Sequence, residues 1–451
     1  MKRKGYIDNE MYEDLLSKNI YIFGAGNRGK KLYNRLVKEG FVVKAFFDSN
    51  KKDIDASLFE IDVLEPELVI NSVVILSPLN HYDEIAVKLV NLGYSLSALY
   101  TYENVIIFLD EMNLLPEEYP KTIQFPITYR CNFNCVMCGM NQLITNRDMN
   151  VSELYAVLSD RQYQCIEAVG INGGEPFLNE NIVEFFDVMV NRLPKLQDFY
   201  IISNGYFTEK ILNSLKNIRL HVPDNIKLHL SLSLDGIGLT QDISRGKKGA
   251  YDHLIKTFKC INEDINQYVD DLDIICTVTT VNIDKLYEVE DWAEKNGVTV
   301  AYGLAVENER LSNQDKIENV IVSKDLDCKM KAIEFFYGMY RKTGNKKYFG
   351  IYLYLKNGRR YTLCPHMHNK WTTLLPDGDV TYCAVRGKKL GSAISRSAYE
   401  IIGANREYEE ELMQQYCVKC AHYGYTLSAE GYSELFRDNI KNSVYNWRGW
   451  E

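Results

Sequence analysis

The sequence predicts an α/β protein in three segments, and three observations carry that prediction. A short apolar strand near the N-terminus runs into a glycine turn, a helix and a second strand; strands and helices then alternate from residue 122 to about residue 304. From about residue 348 the long periodic runs thin out while four cysteines remain. At 451 residues the chain exceeds what one hydrophobic core supports, so the expected domains are 1–115, 116–347 and 348–451.

Composition narrows the function classes. Charged residues make up 25%, hydrophobic residues 46%, and the net charge is −9, a globular profile whose acidity argues against a general nucleic-acid binder. No apolar run approaches the length of a membrane span, and residues 1–10 are basic without the apolar core of a secretory signal. Eleven cysteines without an export signal point to a reducing cytoplasm, where thiols bind metals or pack.

In the first segment, strand 19–23 leads into Gly24, Gly26 and Gly29, a helical pattern through residue 36, and strand 41–47 closed by Asp48. This GxGxxG arrangement lets the backbone turn tightly and approach a ligand. The helix N-terminus can then receive a phosphate, and Asp48, nineteen residues past Gly29, can hold a ribose. Strand 72–76 and helix 81–92 continue a Rossmann-like domain. The stretch resembles the nucleotide-sugar-binding domains of certain sugar acetyltransferases and other polysaccharide-assembly proteins; a bound nucleotide and a degenerate docking domain are both open readings.

The second segment places strands at 123–128, 167–172, 198–203, 227–234, 272–281 and 298–304, with helices at 152–158, 182–190, 251–265 and 285–295. Six such strands suit a partial (β/α)6 barrel, whose site lies at the carboxyl ends of the strands. Just past the first of those ends stand Cys131, Cys135 and Cys138, spaced CxxxCxxC. Three thiolates in so compact a group imply a cubane with one iron left open. The alternative is zinc, but zinc sites favour two pairs or histidine partners, and no further cysteine or histidine follows until Cys165.

With these residues the chain resembles the radical S-adenosylmethionine (AdoMet) superfamily. That resemblance implies an open iron that chelates AdoMet, reductive cleavage to a 5'-deoxyadenosyl radical, hydrogen abstraction from a C–H bond, and an electron donor such as flavodoxin or ferredoxin. It implies a methionyl-amine site at Gly173, Gly174, Glu175 and Pro176 after the second strand. Ser203 and Asn204, ending the third strand, and Ser233 and Asp235, ending the fourth, would face the ribose and carboxylate, with Arg245 pairing the carboxylate. Met137 stands where relatives often carry an aromatic residue.

In the third segment, Cys364 and Cys383 bracket a hairpin, 371–375 and 379–382, turned by Asp377-Gly378, and Cys417 and Cys420 follow. Four cysteines satisfy one cubane, and a zinc ribbon competes for the same set. The C-x13-G-x4-C spacing resembles the opening of SPASM domains, but no cysteine follows Cys420, so the shorter Twitch domain with one auxiliary 4Fe-4S cluster is the closer match. Of the other cysteines, Cys165, Cys260 and Cys328 read as packing residues, while Cys276 is expected on a barrel strand facing the cavity, where a thiol could return a hydrogen atom. The reading is an enzyme that oxidises or epimerises a carbohydrate, free or nucleotide-linked. Radical modification of a ribosomal peptide and a non-catalytic iron–sulfur redox sensor are the alternatives.

Overall fold

The computed structural model describes residues 9–50, 61–113, 118–143, 147–422 and 426–448; the N-terminal stretch 1–8 and the expected 115/116 boundary lie outside them. The chain divides into two compact units, one of Met1–Leu115, Met339–Leu363 and Gly424–Glu451, the other of Pro116–Gly338 and Cys364–Tyr423.

In the first unit, β1 (Asn19–Phe23), β2 (Val43–Phe47), β3 (Val63–Leu64), β4 (Ser72–Leu76) and β5 (Leu99–Thr101) form a parallel sheet ordered β3-β2-β1-β4-β5. Ile20, Ile22, Val73 and Ile75 pack on one face with Leu32, Leu36 and Phe108; Val74, Leu76 and Phe47 pack on the other with Ala86 and Leu89. A sheet covered on both faces and reversing its strand order between β1 and β4 has the doubly wound arrangement.

The glycine loop joins β1 to the helix Asn27–Lys38. Gly24 sits at φ +97°, and a Cβ at Gly29 would lie 2.0 Å from Gly24 O and 3.2 Å from the Phe46 ring, so helix and strand meet only because that side chain is missing. At Gly26 a Cβ would meet nothing within 4 Å. Gly29→Ala is therefore expected to cost about 1–3 kcal/mol in denaturant unfolding, well beyond any effect of Gly26→Ala. Asp48 is already engaged: its carboxylate accepts from Ala25 N at 3.0 Å and Asn50 N at 2.9 Å, shaping the loop.

The C-terminal residues correct the expected domain division. The 20-residue helix Ala429–Arg448 lies in the first unit, with Ala429, Phe436 and Ile440 in its two cores, Asn104 Nδ2 donating to Ser433 Oγ at 3.3 Å and Arg437 Nη2 to Ser97 O at 3.2 Å. The helix Lys346–Asn357 belongs there too. The segment 348–451 is thus not one domain: Ala429, Phe436 and Ile440 are buried in the cores of the N-terminal sheet, and only Cys364–Tyr423 groups with the barrel.

In the second unit, β6 (Thr122–Pro126), β7 (Ala168–Asn172), β8 (Asp198–Ser203), β9 (Lys227–Ser233), β10 (Asp271–Val278) and β11 (Val300–Leu304) pair in parallel in chain order. β12 (Trp371–Leu374) adds in parallel beside β6, and β13 (Asp379–Thr381) and β14 (Gly391–Ser392) follow antiparallel, so the expected hairpin extends the barrel sheet. Alternate residues such as Phe125, Ile171, Phe199, Leu230 and Ile274 pack in one core with Phe185, Phe258 and Val289 of the intervening helices. The opposite row faces the inside of the curled sheet.

Candidate functional site

The carboxyl ends of the strands grip the loop that carries the first three cysteines. Thr128 Oγ1 donates to Asp148 Oδ2 at 2.6 Å and Tyr129 N to Asp148 Oδ1 at 3.0 Å, fixing the loop's start. Gly174 N then donates to Thr128 O at 2.9 Å and Glu175 N to Arg130 O at 2.8 Å. A Cβ at Gly174 would lie 2.0 Å from Arg130 O and one at Gly173, at φ +130°, 2.6 Å from Thr128 O. These glycines admit a close approach, as the sequence implies, but what approaches is the cysteine loop itself.

Further anchors come from the residue after β8, the helix Leu239–Arg245 and the turns after β11, none of which the sequence connects to the loop. Asn204 Nδ2 donates to Asn132 Oδ1 at 2.8 Å, Val136 N to Ser244 O at 3.0 Å, and Gly139 N to Leu311 O at 2.9 Å. Asn313 Nδ2 donates to Met137 O and Lys316 Nζ to Cys138 O, each at 2.9 Å. Nothing local in the sequence marks Asp148 or Lys316 as anchors; for Asn313 the signal is its pairing with Asn308 just past a strand.

Cys135 is buried and Cys131 and Cys138 are half-buried, in a shell that includes Phe133, Met137, Ala250, Ala305 and Ile317. Burial, with the neighbouring thiols, pushes Cys131 up to about 12 and Cys135 up to about 11, the latter drawn back by Arg245. Thiols held so far from ionisation become thiolates only against a cation, which is what iron supplies. No three His, Cys, Asp or Glu side chains among the described residues are grouped to hold a metal ion; a cubane instead takes each thiolate on a different iron. Three soft donors at one site fit a cluster with an open corner.

Glu175 is 1% exposed at the end of β7. Its carboxylate accepts from Ser203 Oγ and Asn204 N, both at 2.8 Å, and from Phe177 N at 3.3 Å, yet burial outweighs these bonds and raises it to about 7. A cationic ligand favours the ionised form, so below pH 7 binding must first expel a proton. AdoMet affinity, measured by calorimetry, is therefore expected to strengthen as pH rises from 6 through 7 and to level off above about 8.

Pro176 opens a short turn after Glu175, and Ser203 Oγ also accepts from Gly205 N at 3.1 Å. Ser233 is buried, its carbonyl accepting from Gln241 Nε2 at 2.8 Å while Gln241 Oε1 accepts from Asp235 N at 2.7 Å.

Arg245 has a different partner from the one expected. Its Nη2 donates to Asp235 Oδ1 at 2.9 Å and its Nε lies 2.8 Å from Asp235 Oδ2, so its fork is taken by a carboxylate of the protein. Asp235 Oδ1 also accepts from Thr277 N at 2.8 Å. Asp235 is fully buried, which raises its carboxyl while Arg245 lowers it. The pair fastens the ends of β9 and β10 to the helix Leu239–Arg245 and sets a guanidinium beside Cys135.

Cys276 does not face the cavity. Along β10 the buried row is Leu272, Ile274, Cys276 and Val278; Asp273, Ile275 and Thr277 form the other, partly open row. Cys276 thus shares the packed side with Ile274, and burial raises its thiol well above the ordinary range. Strand alternation puts it in the core.

The second cysteine set is assembled in the same unit. Burial raises Cys383 to about 12, with Cys364 and Cys420 acting in the same direction. Val385 N donates to Cys383 Sγ at 3.3 Å and His422 N to Cys420 Sγ at 3.4 Å; Cys417 opens the turn that Cys420 closes. Backbone N–H bonds to sulfur are among the groups that tune a cluster's potential.

A parallel open barrel with a three-thiol loop beyond its first strand defines a class, and residues 125–293 match the Radical SAM superfamily. Residues 125–293 are thus a radical SAM domain, a family that uses AdoMet and a 4Fe-4S cluster, and the chain's cysteine-rich C-terminal region fits an auxiliary cluster. The chain is similar to the GTP 3',8-cyclase of Campylobacter fetus subsp. fetus, 23% identical over 225 residues that cover 47% of this chain and 66% of that protein. With the GTP 3',8-cyclase of Limosilactobacillus fermentum it is 27% identical over 142 residues, covering 30% and 41%. The matched region spans less than two thirds of either relative. Among solved structures, anSMEcpe with bound AdoMet and the Kp18Cys peptide shares the fold at a TM-score of 0.51 and 16% identity, covering 72% of this chain and 99% of that one. No described helix is long and apolar enough to cross a membrane.

Proposed function

We propose that the protein abstracts a hydrogen atom from the sugar of a carbohydrate or nucleotide-linked substrate, leading to oxidation, since the packed Cys276 leaves epimerisation without its expected hydrogen-atom donor. The observation that carries this reading is the polar row on the inner side of the barrel. At the carboxyl end of β7, Asn172 Nδ2 donates to Gln124 Oε1 at 3.4 Å; further down the row Ser231 bonds Asp273, and toward the amino ends the rings of Tyr200 and His229 stack at 4.6 Å. Such a surface of amides, hydroxyl, carboxylate and ring faces suits a hydroxyl-rich ligand. The nucleotide in the relatives' name agrees with it.

With cluster and AdoMet bound, the three-cysteine site supplies a 5'-deoxyadenosyl radical. The protein's own residues prepare it: Glu175 offers a carboxylate to the ligand's ammonium group, the Asp235–Arg245 pair holds the ends of β9 and β10, and the loop anchors fix the thiols. Cys364, Cys383, Cys417 and Cys420 hold an auxiliary cluster with no open corner, suited to passing an electron supplied or removed during turnover by a flavodoxin- or ferredoxin-type partner. The glycine loop of the first unit, with open space over Gly26, binds a nucleotide moiety.

The test is label transfer. Reduced, reconstituted protein incubated with AdoMet and ring-deuterated nucleotide sugars or GTP should yield deuterated 5'-deoxyadenosine by mass spectrometry. Unlabelled product from every sugar, with label arriving from a deuterated peptide, would replace this reading with peptide modification.

A further inference from the structure

The stretch after β11 runs between the two cysteine sites. Glu309 N donates to Val385 O at 2.9 Å, two residues from Cys383, and Leu311 O accepts from Gly139 N at 2.9 Å, next to Cys138. Arg310 stands between these anchors. It passes close to the second cysteine loop, since a Cβ at Gly387 would lie 3.3 Å from its Cα.

Its Nε and Nη1 are shielded from solvent, and among the described residues neither has a hydrogen-bond partner. The nearby acids are engaged elsewhere: Arg386 Nη1 takes Glu307 at 3.5 Å and Glu309 at 3.0 Å. A guanidinium cannot shed its charge, and shielded N–H groups without an acceptor are costly and rare in native proteins. Such a group is explained when the missing acceptor arrives with a ligand.

We propose that Arg310 is the anion subsite of the second substrate, receiving a phosphate or carboxylate oxygen of the molecule whose C–H bond is broken. The inference rests on the hydrogen-abstraction reading above and deepens it, because the subsite lies between the AdoMet-binding loop and the auxiliary cysteines. Nε and Nη1 point to different sides of the guanidinium, and each offers an N–H to an oxygen of either group.

The test uses full-length, reconstituted, AdoMet-loaded protein with inorganic pyrophosphate and citrate as probes, read by thermal shift and calorimetry. A probe that binds the folded state raises the melting temperature. The wild type is expected to respond to at least one anion, which also tells phosphate from carboxylate. Arg310→Gln should weaken that binding at least about tenfold, and Arg310→Lys should restore part of it. Without a probe, Arg310→Gln should melt no lower than wild type, because it removes donors that had no partner. Absence of response to both anions, or an equal response in Arg310→Gln, overturns the inference. So does an equal loss of AdoMet affinity in that variant, which would assign the anion to AdoMet's own carboxylate. A wild type that cleaves AdoMet yet ignores both anions sinks this inference alone; one that binds an anion through Arg310 but never cleaves AdoMet sinks the wider reading.

Discussion

Replacing Cys131, Cys135 and Cys138 together by Ala should bring 5'-deoxyadenosine formation down to the enzyme-free background and lower bound iron from about eight to about four per chain. The expectation follows from how the loop is built. The loop that carries the thiols is set by hydrogen bonds from Asn204 to the Asn132 side chain and from Gly174, Asn313 and Lys316 to backbone carbonyls, and none of these bonds needs a cysteine side chain. The variant should therefore keep its fold, and the loss will read as chemistry. A single Cys135→Ala should be nearly as severe, because residues that act as a unit are not additive. Iron analysis with sulfide determination and a turnover assay check this together; unchanged iron in the triple variant would place the metal elsewhere.

The second large effect is expected at Asp235. Asp235→Ala removes the carboxylate that takes both arms of Arg245, and Arg245 is only 12% exposed at its side chain. Removing one member of a buried pair leaves the other charge uncompensated, at a cost of about 3–5 kcal/mol. Thr277 N loses its acceptor as well. Denaturant unfolding should show that loss as a lower midpoint with an unchanged slope. Asp235→Ala combined with Arg245→Leu should recover much of the stability, since the stranded charge is then absent. If the single variant unfolds like wild type, the pair is not the clamp described here.

Much of the fold was legible because its signals are local. The apolar rows of β1, β4 and β6–β11 alternate or run continuously within a few residues, and a glycine or polar turn ends each. The CxxxCxxC loop was legible for the same reason: a cluster needs its thiols close together, and a short loop supplies them. What could not be read were partners distant in sequence. Nothing around Arg245 announces that Asp235, rather than a ligand, fills its fork, and nothing local says that Asn313 reaches Met137 O. The helix Ala429–Arg448 follows the cysteines in sequence but packs with the first unit, and Phe436 and Ile440 mark its buried face. Cys276 is a different case. Its row was readable, because Leu272, Ile274 and Val278 share its parity and are all apolar.

The central claim, that Cys131, Cys135 and Cys138 hold a cluster whose open iron takes AdoMet, is tested most directly by paramagnetic resonance of the reduced protein. The spectrum would be recorded with and without AdoMet, in a variant whose Cys364, Cys383, Cys417 and Cys420 are all Ala so that one cluster remains. A reduced 4Fe-4S signal whose g-values move on addition of AdoMet is the predicted result. A signal indifferent to AdoMet, or zinc in place of iron, would contradict it.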